Sequence, residues 1–230
     1  MLRIDSLDAH YGLFQALFGV SLHIAPGETV ALIGSNGAGK TTLMRSLAGA
    51  LKVRKDSISL DGNFVGGTTE QEQLARGVAL VPEGRRLFAS LTVGENLELA
   101  ACNGRSGPWT VARILDTFPA LLGLLKRPAT ALSGGQQQLV AIARGLVCNP
   151  AYLLCDEVSL GLSPLVVEEV YRLLAAARRE GVAIFLVEQN VQRALNDSDR
   201  FVCLQKGRVV LEGISAQADR HAVAQAYFGI

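Results

Sequence analysis

The chain has 230 residues, enough for one large α/β domain with room for a subdomain. Its 22 Lys and Arg against 21 Asp and Glu leave a net charge of +1, which excludes an extended nucleic-acid surface, since that needs a strong basic excess. Hydrophobic residues make up 49% of the chain, which suits either a sheet buried on both faces or a surface that docks on a membrane protein.

In chain order, MLRIDSLDAHYG has no apolar core like that of a signal peptide. LRIDSLDAHYG and VSLHIAPGETVALIG alternate apolar and polar residues around a turn at Pro26-Gly27, and predict strands. SISLDGNFV predicts a hairpin turning at Asp61-Gly62. TEQEQLARG predicts a short helix closed by Gly77, and VALVPEG a strand that ends at Pro82. Residues 84–141 read as a mostly helical insertion, broken by the polar loop CNGRSGPW. The core, with a β subdomain, then comprises 1–83 and 142–230. LVAIARGLVCNP predicts a helix, YLLCDE a buried strand, SPLVVEEVYRLLAAARREG an amphipathic helix and VAIFLVEQ a second buried strand. RALNDSDR closes a further helix, and RFVCLQKGRVVLEG predicts a hairpin. Strands alternating with helices imply a mostly parallel sheet covered on its faces. VAIFLV falls far short of the roughly 20 residues that span a bilayer. Cys102, Cys148, Cys155 and Cys203 show no CxxC spacing, so the expectation is a reduced, cytosolic protein without a disulfide framework or a cysteine metal site.

Gly34-Ser35-Asn36-Gly37-Ala38-Gly39-Lys40-Thr41 fits GxxxxGK followed by Ser or Thr, between the apolar stretch TVALI and the helical TTLMRSLAG. Glycines let the backbone wrap phosphates, with N–H groups converging at a helix N-terminus. Lys40 would reach the β- and γ-phosphates, and Thr41 would offer a hydroxyl to Mg²⁺. YLLCDE ends in two carboxylates. Beside a phosphate loop, Asp156 would hold the magnesium and Glu157 would act as general base on the attacking water.

LSGGQQQ at 132–138 is a second glycine-rich turn, with neither lysine nor carboxylate. Ser133 and Gln136 make a capping box, as Thr92 and Glu95 do elsewhere. A cap does not call for Gly134 and Gly135. Positions without side chains at a helix N-terminus leave N–H groups open to an anion. Since the chain's own phosphates already have a loop, such a turn makes sense if it closes over nucleotide held by another subunit.

LSGGQ between a phosphate loop and an LLxDE strand resembles the signature of ATP-binding cassette (ABC) ATPases, and the resemblance covers essentially the whole chain. It implies a P-loop NTPase fold: a RecA-like, mostly parallel core sheet, an N-terminal antiparallel β subdomain and an inserted helical subdomain. It implies two subunits bound head to tail, with ATP between the P-loop of one and the signature of the other. Residue by residue, it carries adenine stacking to Tyr11 and phosphate binding to Gly34, Ser35, Asn36, Gly37, Gly39, Lys40, Thr41 and Thr42. The signature falls on Ser133, Gly134, Gly135 and Gln136, the metal and catalytic carboxylates on Asp156 and Glu157, and the interface loop on Ser159-Leu160-Gly161-Leu162.

Two positions depart from most of the family. Where Gln usually ends the strand leading to the insertion, LVPEGRRLF puts Glu83; where His usually follows the last buried strand, FLVEQN puts Glu188. Yet VPEGRRLF, TVGENL, SLGLSP and FLVEQN together resemble the second ATPase subunit of branched-chain amino-acid importers, and both Glu replacements belong to that branch. Val158 departs even there, standing where Pro follows the catalytic Glu. A carboxylate near a phosphate is repelled unless protonated. Glu188 is therefore expected either to hold a proton and donate to the γ-phosphate, or, in the nucleotide-free protein, to turn away and pair with a basic group.

The implied partners are a second ABC ATPase subunit (homologous, or another copy of this chain), transmembrane permease subunits and, indirectly, a solute-binding protein. The implied place is the cytoplasmic face of the inner membrane, as a peripheral subunit. Arg85, Arg86, Leu87 and Phe88 are the expected contact with the permeases, against the alternative of a solvated loop with one core Phe. The alternatives in function are an ATP-gated clamp with little hydrolysis, a urea or amide importer, and a relative acting in translation or repair, which the single cassette disfavours. A GTPase is excluded by the lack of an N/TKxD-type guanine motif.

Overall fold

The computed structural model describes residues 1–228. Near the N-terminus lies an antiparallel sheet of four strands. β1 (Leu2–Tyr11) pairs with β2 (Phe14–Ile24) on one side and β4 (Ile58–Leu60) on the other, and β5 (Asn63–Phe64) closes the edge. The turn between β4 and β5 is the expected Asp61-Gly62 hairpin, with both residues at positive φ.

The larger sheet has six strands. β3 (Thr29–Ile33), β6 (Val78–Val81), β7 (Tyr152–Asp156), β8 (Ala183–Val187) and β9 (Arg200–Gln205) run parallel in the order β9-β3-β8-β7-β6, and β10 (Arg208–Ile214) adds antiparallel to β9. Val30 and Leu32, Tyr152 and Leu154, and Ala183, Phe185 and Val187 face the core shared with β1 and β2. Leu153 with Cys155, and Ile184 with Leu186, face the core shared with the helices of the insertion. Period-two alternation with both faces buried is why these strands read as unbroken apolar runs.

Helix α1 (Lys40–Leu47) follows the glycine-rich loop, and α2 (Glu70–Ala75) opens on a Thr69–Glu72 capping box. The expected helical stretch contains α3 (Val93–Asn103), α4 (Val111–Thr117) and short 3₁₀ turns. α5 (Gly134–Leu146) then runs unbroken across position 141, where the sequence suggested a boundary. α6 (Pro164–Arg179) starts with Pro at its first position, which fits the fixed φ of that residue. α7 (Val191–Asn196) and α8 (Arg220–Phe228) complete the set. α8 has too weak an apolar stripe to be read from its pattern, and buries Val223 against β9. Among the described residues, no helix is long and apolar enough to cross a membrane.

Candidate nucleotide-binding site

β3 and β7 flank β8 and run parallel to it, so the loops that follow their C-terminal ends open onto one cleft. The turn from β3 into α1 needs glycine. Gly39 sits at φ 106°, and a Cβ there would stand 2.8 Å from a Leu17 methyl. Gly34 is pressed against the Leu204 carbonyl, and Gly37 is also at positive φ.

Lys40 is buried, and its ammonium donates to the carbonyls of Gly34 at 2.8 Å and Ser35 at 3.1 Å. It lies 3.7 Å from Glu157 Oε1. A cavity of about 840 Å³ opens beside it, walled by Asn36, Gly37, Gly39, Lys40, Thr41, Thr42, Glu83, Glu157 and Gln189. At its rim, Tyr11 and Phe14 face each other across the β1–β2 turn, 42% and 69% exposed. Two solvated aromatics at a cavity mouth form a stacking platform. Tyr11 was legible from the motif frame. Phe14 was not, because nothing in its spacing sets it apart from a strand residue.

Asp156, at the end of β7, is buried, and its Oδ1 has no hydrogen-bond partner. Burial lifts its carboxyl to about 6, opposed by the Thr41 hydroxyl, furthered by the charges of Glu157 and Glu83, and opposed again by Lys40. An orphaned buried carboxylate oxygen beside a hydroxyl is an oxygen donor set suited to a hard divalent cation. Glu157 follows at φ 51°, in the left-handed region that residues with a Cβ rarely adopt. This turn carries its carboxylate to the cavity wall, where it accepts from Gln189 Nε2 at 2.7 Å. Val158, in the place of the family's Pro, is buried in the core under α5 and α6.

Glu188 is not brought into the cavity. Successive residues of β8 point to opposite faces. Val187 faces the α1 side, Glu188 the α6 side, and Gln189 returns to the cavity. The residue at the cavity wall after β8 is therefore Gln189, one position beyond the expected Glu188. Glu188 turns away, as one of the two expectations had it. Its partners, though, are hydroxyls of Ser159 and Tyr171 and the N–H groups of Gln189 and Asn190, rather than a basic group. Glu83 is exposed and lines the cavity.

The second glycine turn lies elsewhere. Ser133 caps α5: its Oγ accepts from the Gln136 N–H at 3.3 Å, and Gln136 Oε1 accepts from the Ser133 N–H at 3.0 Å. Neither Gly134 nor Gly135 has a positive φ, so no turn conformation calls for them. The reason is proximity. A Cβ on Gly135 would stand 2.8 and 2.9 Å from the two methyls of Val166 in α6, and one on Gly134 would stand 3.1 Å from the Arg85 guanidinium. None of Ser133, Gly134, Gly135 and Gln136 lines the cavity that holds Lys40.

The loop after β6 is pinned by Asn96, which is fully buried. Asn96 Oδ1 accepts from the Phe88 N–H at 2.9 Å, and its amide donates to the carbonyls of Phe88 at 3.1 Å and Thr92 at 2.9 Å. Arg85 turns inward to Gln137 Oε1 at 3.3 Å, and Leu87 packs on the helical core. Arg86 and Phe88 instead line a separate groove of about 500 Å³, with Leu74, Leu99 and Arg144. Phe88 is 49% exposed, so it is not a core residue.

Comparison with known proteins shows which family the chain resembles. A family model described as ABC transporter matches residues 17–159. The high-affinity branched-chain amino acid transport ATP-binding protein BraG of Pseudomonas aeruginosa is 40% identical over 232 residues, covering 100% of each chain. The probable branched-chain amino acid transport ATP-binding protein LivF of Archaeoglobus fulgidus is 36% identical, over 96% of this chain and 95% of that one. Among solved structures, a dimeric bacterial ABC transporter cassette superposes with a TM-score of 0.81 at 26% identity, over 94% of this chain and 99% of that one.

Proposed function

The chain belongs to the ABC transporter family as an ATP-binding ATPase subunit, and we propose that it powers import of branched-chain amino acids or a chemically similar small solute. The observation that carries the reading is the gathering of Lys40, Thr41, Glu157 and the Tyr11–Phe14 pair around one cavity, next to the unpartnered oxygen of Asp156. The solute class rests on the two relatives named for branched-chain amino-acid transport, which match the chain nearly end to end.

In this reading ATP lies along the cavity. Tyr11 and Phe14 stack on the base. Backbone N–H groups of residues 35–42 and the Lys40 ammonium hold the phosphates, the ammonium exchanging its bonds to Gly34 and Ser35 for phosphate oxygens. Thr41 and Asp156 would hold Mg²⁺, which supplies charge neutralisation at the phosphate oxygens. Glu157, held by Gln189, takes a proton from the attacking water.

Ser133, Gly134 and the N-terminus of α5 then serve the nucleotide of a second ATPase subunit, because they do not reach their own chain's cavity. The groove at Arg86 and Phe88 receives a segment of the permease pair on the cytoplasmic face of the membrane. A solute-binding protein delivers the cargo to the permeases.

The test is transport in vesicles holding this chain, its partner subunit and the permease pair, with the binding protein supplied outside. ATP-dependent uptake of leucine is the expected result. Uptake of urea without leucine would move the chain to the amide branch. ATP binding without turnover in the assembled complex would make it a clamp.

A further inference from the structure

Glu188 is a buried carboxylate with no part in the chemistry described so far. Taking a carboxylate out of water is costly unless its oxygens are fully bonded. Here they are. Oε2 accepts from Ser159 Oγ at 2.7 Å and Tyr171 Oη at 2.6 Å, and Oε1 accepts from Ser159 Oγ at 3.0 Å and the N–H groups of Gln189 at 3.1 Å and Asn190 at 3.2 Å. Among the described residues no salt bridge reaches it. The Arg193 guanidinium lies over the Tyr171 ring, 4.8 Å from its centroid, and pairs with Asp197. The Tyr171 hydroxyl, with its pKa pushed up by burial and by the Glu188 charge, keeps its proton and stays a donor.

These bonds join three elements at one point: the end of β8, helix α6 through Tyr171, and the segment after β7 through Ser159. The same segment carries Glu157 in its left-handed conformation. Such a backbone persists only where its surroundings determine it more than once. Two neighbouring side chains do so here. Gln189 reaches the Glu157 carboxylate from the cavity side, and Glu188 holds Ser159 from the opposite face of the strand.

We propose that Glu188 is a positioning residue for ATP hydrolysis, whose carboxylate anchors Ser159 and thereby keeps the Glu157 carboxylate aimed into the cavity. It acts through its neighbour and need not meet nucleotide. A carboxylate suits the place because it can accept from two hydroxyls and two amides at once. An amide at the same site offers one accepting oxygen and turns its NH₂ toward donors. The inference rests on the reading of Glu157 as the base.

The experiment measures steady-state ATPase and equilibrium ATP binding for Glu188→Gln, Glu188→Ala, Ser159→Ala and the double variant Glu188→Ala/Ser159→Ala, with Glu157→Gln as reference. Ser159→Ala should lower kcat on the order of 10- to 100-fold, the scale that small misplacements of a reacting group cost. ATP affinity should stay within about two-fold, because the P-loop contacts are untouched. Glu188→Ala should match it, the double variant should be no worse than the poorer single one, and Glu188→Gln should recover part of the loss. Ser159→Ala does not depend on burying a cavity at Glu188, so it decides the matter even if Glu188→Ala folds poorly. Parental kcat in Ser159→Ala would overturn the inference. So would additive losses, or a fall in affinity equal to the fall in kcat. If Glu157→Gln itself turns over at the parental rate, the reading of the base has failed instead.

Discussion

The two glycine-rich turns, Gly34–Gly39 and Gly134–Gly135, both open helices, yet they use glycine for different reasons. In the first, Gly37 and Gly39 take backbone angles that other residues rarely adopt, and the loop wraps a cavity that already holds a buried ammonium. In the second the backbone is ordinary helix, glycine lets α6 and Arg85 come close, and the capped helix end is not part of its own chain's cavity wall. A glycine-rich helix start can thus be a complete site or half of one. What separates them is whether the turn lines a cavity of its own chain.

The strongest way to break this comparison is at the charge. Lys40→Ala should cut ATPase turnover at least ~100-fold and weaken ATP binding in the isolated subunit, since the ammonium acts on phosphates in a largely dry site. Retained turnover would mean that the first turn is not the complete one. At the second turn, Ser133→Asp keeps a good helix cap but sets a carboxylate where the partner's phosphate is expected. Turnover and ATP-dependent dimerisation should be lost, while ATP binding to the monomer and thermal stability stay at the parental level. A matching loss of monomer binding, read by titration, would place the turn in its own chain's site. Gly135 is a poorer probe, because any side chain there strikes Val166 and disturbs α6 within the monomer.

A smaller effect separates the two uses of glycine themselves. Gly39→Ala forces a Cβ into a left-handed position and against Leu17, and should cost about 1–3 kcal/mol in denaturant unfolding. Gly134→Ala gains helix propensity and displaces only the end of Arg85, and should change stability by less than about 1 kcal/mol in either direction. Equal losses would erase the distinction.

The smallest effect concerns the caps. Thr92 caps α3 with Glu95 at the third position, and the Thr92 N–H and hydroxyl hold the Glu95 carboxyl below its usual range. A depressed folded value means that this contribution is present above the unfolded pKa of about 4.3 and fades as pH falls through the folded one. The loss of stability caused by Thr92→Ala should therefore shrink in acid. Ser133 is paired with the amide of Gln136, which does not titrate, so Ser133→Ala should cost ~1 kcal/mol with no such pH dependence. Melting curves of the two variants from pH 7 to 3 make the comparison.

Much of this site was legible because it is written in spacing. A phosphate loop, a strand ending in two carboxylates and a capped glycine pair can each be found by counting residues. The buried strands and the α5 cap follow from period and end residues in the same way. What escaped depends on direction or on distant neighbours. Glu188 and Gln189 differ by one place, and on a strand one place is the difference between facing α6 and facing the cavity. Phe14 takes meaning only from pairing with Tyr11, and Asn96 from the loop it pins. The packing of Gly135 on Val166 joins residues 31 positions apart in sequence, and no local pattern announces it.

If the two turns serve one nucleotide from two chains, mixing two inactive variants restores a working site. Lys40→Ala lacks a working first turn, and Ser133→Asp lacks a working second turn. A head-to-tail pair of one of each would contain one intact composite site, formed by the P-loop of the Ser133→Asp chain and the signature of the Lys40→Ala chain. With a parent chain active as a homodimer, each variant alone should be inactive and an equimolar mixture should regain a clear fraction of parental ATPase activity. Mixtures that stay inactive at every ratio, while forming mixed dimers, would show that each turn works within its own chain.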